Sequence, residues 1–142
     1  MQEYIIKAVN DLVKKYNTRD PLKLAECLGI KIFHYPFRKI KGMVLEFMGR
    51  KLIGINSSLP KAEQIIIVGH EIGHDQLSPA GLGYFFMVEN TCIITGSEEY
   101  RANAFTAELL LAEERPRYGQ TIEEFAAELG VPPELVKIKF IK

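Results

Sequence analysis

The stretch Ile65-Ile-Ile-Val68-Gly69-His70-Glu71-Ile72-Gly73-His74 decides the fold. An apolar cluster runs into polar residues with no turn signal between them. Residues 60–77 are therefore predicted to form one helix anchored in the core. On a helix, positions four apart share a face, one turn apart. His70 and His74 then offer two imidazoles to one point, a spacing that grips a single Zn²⁺ at about 2.0–2.1 Å per nitrogen. Glu71, one residue on from His70, points beside the metal, where it can take a proton from a zinc-activated water. Gly73 has no side chain and lets another backbone approach the helix closely. The chain has three histidines, and two of them stand here. Two surface histidines on a solvated face is the bland reading of this pattern; the mechanics of H-E-x-x-H favour the metal.

Upstream, Tyr4, Ile5, Ala8, Val9, Leu12, Val13 and Tyr16 recur at helical spacing and predict a helix over 3–16. Asp20 is placed to cap a second helix, with Pro21 in its first turn and Gly29 at its end. Ile30–Tyr35 reads as a strand stopped by Pro36. Met43–Phe47 and Lys51–Asn56 read as two more, joined by a hairpin turn at Met48, Gly49 and Arg50. Downstream, Ser78–Gly83 is a loop, and Tyr84–Thr95 is ambiguous between strand and irregular structure. Ser97 can cap a helix over 98–111. Thr121 and Glu124 form a capping box for a helix that ends at Gly130. Pro132 and Pro133 open a last helix to about Phe140. The expected fold is a single α+β domain over residues 1–142, with a small antiparallel three-stranded sheet and about six helices.

Composition agrees. The 142 residues are 47% hydrophobic and 25% charged, ordinary for one globular domain. Eighteen basic residues balance eighteen acidic ones. That argues against a partner held mainly by phosphate electrostatics, while leaving a local basic patch open. Two cysteines, Cys27 and Cys92, exclude a disulfide scaffold and are expected as buried thiols. No apolar run reaches the roughly 20 residues of a membrane span. No cleavable leader is visible, so a cytoplasmic protein is expected.

A catalytic zinc needs a third protein ligand and an open position. No histidine follows His74, so a carboxylate must serve. Glu98, Glu99 and Glu108 are the nearest candidates, with Glu89 before them. Glu99 is favoured because Asn103, four residues on, would share its face and could orient a ligating imidazole through the other ring nitrogen. Tyr100, Tyr84 and His34 are the candidate donors to a developing oxyanion, each with an ordinary structural reading beside it.

The pairing of His70-Glu-Ile-Gly-His74 with Glu99-Tyr-Arg-Ala-Asn103-Ala-Phe105-Thr-Ala-Glu-Leu-Leu-Leu111 resembles the ImmA/IrrE family of zincin-like metallopeptidases. Asp20–Ile30, Ile53–Asn56 and Thr121–Phe140 extend the resemblance over most of the chain. It implies a zincin-like fold, with His70, His74 and Glu99 as zinc ligands and Glu71 as general base and acid. It further implies narrow-specificity endopeptidase activity on a helix-turn-helix repressor of a mobile element or stress response. Three features depart from the family pattern: Asp75-Gln-Leu-Ser78 where Leu-Leu-His is common, Thr106 after Phe105, and no proline soon after Leu111.

Two other functions compete. One is a non-proteolytic metal-binding regulator or toxin-like partner of a helix-turn-helix protein. The other is a DNA-binding module through residues 121–140, where Lys137, Lys139 and Lys142 supply some charge. Direct nucleic-acid binding is not expected, because two prolines and Glu134 share that segment. Two histidines and a glutamate also suit iron, manganese or cobalt.

Overall fold

The computed structural model describes residues 2–77, 84–88 and 97–141, with the backbone alone described at 47, 84–88, 97 and 98. Chain order is α1 (Glu3–Tyr16), α2 (Pro21–Cys27), β1 (Lys31–Tyr35), β2 (Ile40–Phe47), β3 (Arg50–Asn56), α3 (Lys61–Leu77), β4 (Tyr84–Val88), α4 (Ser97–Leu111), α5 (Ile122–Leu129) and α6 (Pro133–Phe140). The α+β class and six helices agree with the sequence. Local chemistry sets several ends. The Asp20 carboxylate accepts from the Leu22 amide at 2.9 Å and starts α2. Thr121 and Glu124 form both bonds of the capping box. Met48 and Gly49 both hold positive φ, so the β2–β3 hairpin closes on a tight two-residue turn.

The sheet departs from expectation in two ways. It has four strands, in the order β1-β3-β2-β4, and it is mixed. β1 runs parallel to β3, whereas β2 is antiparallel to both β3 and β4. The physical reason lies at Asn56. Its buried amide donates to the Phe37 and Ile40 carbonyls at 2.9 and 3.0 Å. The β1–β2 link is thus pinned beyond the end of β3, and β2 passes over one place. β3 fills that place, and since it opposes β2 it must run along β1. The fourth strand lies within the stretch left ambiguous by sequence. Cys27 is a second correction: it is exposed, on the outer side of a short helix. Cys92, Glu89, the Ser78–Gly83 loop and the side chains of Tyr84 and Glu98 lie outside the described residues.

α3 is the central element. Every residue from Ile66 to His74 is buried. Ile53 and Ile55 of β3 are fully buried on one side of the core, and Ala104, Phe105 and Leu109 of α4 on another. Each such aliphatic or aromatic side chain contributes about 1.5–3 kcal/mol when taken from water. The α3–α4 approach is unusually close. A Cβ at Gly73 would lie 3.1 Å from the Ala102 Cα and carbonyl oxygen and from the Phe105 Cβ. One turn earlier, a Cβ at Gly69 would lie 3.1 Å from the Thr106 methyl. Two glycines a turn apart make a groove on α3 into which α4 settles.

α6 closes the other side of α4. Leu135, Val136 and Ile138 are buried, and Phe125 meets Phe140 edge-on at 5.6 Å between ring centres. Lys139 donates to the buried Glu108 carboxylate at 2.7 Å. The segment read as a possible DNA reader therefore spends one of its lysines inside the fold. Among the described residues, no helix is long and apolar enough to cross a membrane.

The close helix contact makes a test. Gly73→Leu should destabilise the fold by about 3 kcal/mol, because the Ala102 backbone cannot give way. Gly73→Ala should cost much less, since the better helix propensity of alanine, about 1 kcal/mol, offsets part of the crowding. Urea unfolding of both variants measures the difference.

Candidate metal centre

His70 and His74 sit one turn apart near the C-terminal end of α3, and Glu99 stands in the first turn of α4. The helix packing at Gly69 and Gly73 brings the two sets together. Glu99 Oε2 lies 2.9 Å from His70 Nε2, and Oε1 lies 2.8 Å from His74 Nε2. The two Nε2 atoms are 3.1 Å apart. These three residues are a His/Glu group able to hold a metal ion, with ligand atoms all within 4.8 Å of one another. Both histidines are buried, while Glu99 is half-buried.

Asn103 sets the orientation of the first ring. Its Oδ1 accepts from His70 Nδ1–H at 2.9 Å. A carboxamide oxygen can only accept, so Nδ1 carries a proton, and a neutral His70 would then offer its Nε2 lone pair to a metal ion. That is the state a metal-binding imidazole requires. The adjoining imidazoles of His70 and His74 hold the Glu99 carboxyl well below the usual range, outweighing its partial burial. It is a carboxylate at neutral pH, the form able to bind a metal ion.

Glu71 differs. Its side chain is fully buried, and neither carboxylate oxygen has a hydrogen-bond partner among the described residues. Burial pushes its pKa well above the ordinary value; the Lys51 charge pulls it back, and the Glu99 charge pushes it further up. A buried polar group without a partner costs about 1–3 kcal/mol. Such a group beside a ligand cluster leaves free acceptor sites for a proton-bearing reactant. Lys51 is held by Asp75, Nζ to Oδ1 at 3.0 Å. This pair ties the start of β3 to the residue after His74. Sequence reading left Lys51 out, although strand alternation puts it on the same face as Ile53 and Ile55, toward α3.

The other sequence candidates lie elsewhere. His34 Nε2 bonds Gln64 Oε1 at 3.1 Å, nearly two turns before His70 on α3. Tyr100 packs against the hydrophobic core. His34 is thus engaged away from the cluster. Glu108, an alternative ligand by sequence, is taken by Lys139.

The donor set fits zinc: two imidazole nitrogens with an oriented ring and one carboxylate, converging from two helices. Residues 25–140 match the IrrE N-terminal-like domain, a peptidase family. The chain belongs to the ImmA/IrrE family. The chain is 35% identical over 137 residues to "Uncharacterized immunity region protein 2" of Bacillus phage phi105, an alignment covering 93% of this chain and 86% of that protein.

Two substitutions test the centre without any assay of turnover. Asn103→Leu should weaken zinc binding about 10–100-fold through loss of ring orientation. Glu99→Ala should abolish most of the rise in Tm that saturating Zn²⁺ produces in the parent chain. Chelator competition and calorimetry read the two effects.

Proposed function

We propose that residues 1–142 form one metallopeptidase domain, acting in the cytoplasm as a zinc-dependent endopeptidase of narrow specificity. The observation that carries this reading is the convergence of His70, His74 and Glu99 beside a fully buried Glu71 whose oxygens lack hydrogen-bond partners among the described residues. His70, His74 and Glu99 would hold the ion. When bound, zinc supplies Lewis-acid polarisation of the scissile carbonyl and of a water molecule. Glu71 accepts the proton of the attacking water and returns it to the departing amine. Its burial keeps bulk solvent from competing for that proton. Asn103 holds the His70 ring in place, and Lys51 with Asp75 keeps a positive charge near the Glu71 carboxylate. Membership in a metallopeptidase family supports the reaction class.

The substrate we infer is a helix-turn-helix repressor of a mobile element. Similarity to an immunity-region protein of a phage supports a role in that kind of regulation. A repressor is a small protein cut once to be silenced, which suits an enzyme with no need to accept general peptides.

The purified zinc-loaded chain is mixed with the helix-turn-helix protein encoded beside its gene, and the products are mapped by mass spectrometry. One discrete cut is expected. Glu71→Gln should retain zinc yet lower the cleavage rate by about 10²–10⁴-fold. Full biological activity in that variant would instead make the chain a binding partner of its regulator.

A further inference from the structure

The two faces of the sheet are treated differently. α3 covers the face that carries Ile53 and Ile55, and a Cβ at Gly42 would lie 3.4 Å from an Ile67 methyl there. The opposite face is apolar, and no described helix covers it. The register aligns Phe33 of β1 and Met43 of β2 with the same residue, Gly54 of β3. With no side chain at Gly54, the Phe33 ring lies across the strand: a Cβ there would meet its Cζ at 2.6 Å and the Met43 Cγ at 3.2 Å. An apolar strip thus runs from Tyr35 through Phe33 and Met43 to Leu45. Tyr35 is 57% exposed, Phe33 and Leu45 are each 36% exposed, and Met48 at the hairpin tip is 86% exposed.

Charge is segregated around this strip. Residues 31–56 contain six basic residues and a single acidic one, Glu46, whereas residues 97–128 contain eight acidic and three basic ones. Two of the six sheet cations are matched by acids of α3: Lys41 with Glu63 at 3.3 Å and Lys51 with Asp75 at 3.0 Å. The other four, Lys31, Arg38, Lys39 and Arg50, are exposed and form no ion pair among the described residues. Strand alternation places Lys31 and Arg50 on the open face, at one end of the strip. Arg38 and Lys39 lie beyond Tyr35 at the other end. Four residues of strand separate Lys31 from Tyr35, about 13 Å at roughly 3.3 Å each.

We propose that this face docks a segment of a partner protein in which apolar side chains are flanked by carboxylates. The strip would take the apolar side chains, and the cations at its two ends would meet the acidic flanks. Met43 and Leu45, half of the strip, present no flat ring, which favours such side chains over nucleic-acid bases, since these stack on aromatic platforms. The inference goes beyond the peptidase reading and does not depend on it, since none of these residues belongs to the metal centre.

The probe is a fluorescein-labelled synthetic peptide with an apolar Leu/Phe/Ile centre and glutamates at both ends. Its anisotropy is followed with the full chain, and amide shifts locate the contact. Saturable binding with shifts at Phe33, Tyr35, Met43 and Leu45 is expected. The combined variant Lys31→Glu, Arg38→Glu, Lys39→Glu and Arg50→Glu should bind about tenfold more weakly or worse. If it fails to fold, the loop pair Arg38→Glu and Lys39→Glu alone should still lower affinity and its salt dependence. Glu71→Gln should bind the peptide as the parent does, so a failed cleavage assay leaves this result intact. Absence of binding, equal binding of a lysine-flanked version, shifts confined elsewhere, or displacement of the peptide by oligo-dT would each overturn the proposal.

Discussion

The contact on which the rest depends is the settling of α4 into the Gly69–Gly73 groove of α3. Side chains at those two positions would hold the helices farther apart, and the ligand atoms sit only 2.8–3.1 Å from one another. A separation increased by a single methylene would carry Glu99 away from both imidazoles and Asn103 away from the His70 ring. The groove is also where the departure at Thr106 finds its explanation. The Thr106 hydroxyl donates to the Ala102 carbonyl at 2.9 Å, satisfying itself within its own helix, and this leaves its methyl to face Gly69. A polar residue is thereby made apolar toward its neighbour.

Burial and reactivity are set against each other along α3. Its first buried turns are aliphatic and hold the helix in the core; its last ones carry His70, Glu71 and His74, all buried as well. Burying three ionisable groups is expensive unless they have partners or a task. His70 and His74 have Glu99 as partner, and His70 has Asn103 too. Glu71 has the long-range help of Lys51 and no hydrogen bond among the described residues. The stability given up at that one carboxylate is of the kind found where chemistry is done.

Much of this was legible in the chain itself, for local reasons. Helix ends followed from Asp20, Thr121 and Glu124, whose side chains act within a few residues of their own backbone. The convergence at the centre could be read because i, i+4 spacing fixes His70 against His74, and Glu99 against Asn103, before any tertiary contact. Gly73 announced a close backbone approach, but not that Ala102 makes it, nor that Gly69 meets Thr106, since both contacts are remote in sequence. The pairing of β1 with β3 was illegible for the same reason: it depends on Asn56 bonding backward to Phe37 and Ile40, and periodicity carries no record of that. Nothing near Lys51 or Asp75 in the chain signals that the two pair. Only the alternation that places Ile53 and Ile55 inward hinted that Lys51 points inward with them. Cys27 was misjudged from its apolar neighbours, Ala25 and Leu28, because a seven-residue helix still has an outer side.

His70, His74 and Glu99 are unequally exposed, and this bears on how a metal ion would reach them. His70 and His74 are sealed inside, whereas the Glu99 carboxylate still touches solvent. Among the described residues, the carboxylate is the member of this group that meets water first. A hydrated cation approaching from solvent would thus feel a negative charge ahead of either ring, the order in which an ion is first attracted and then gripped.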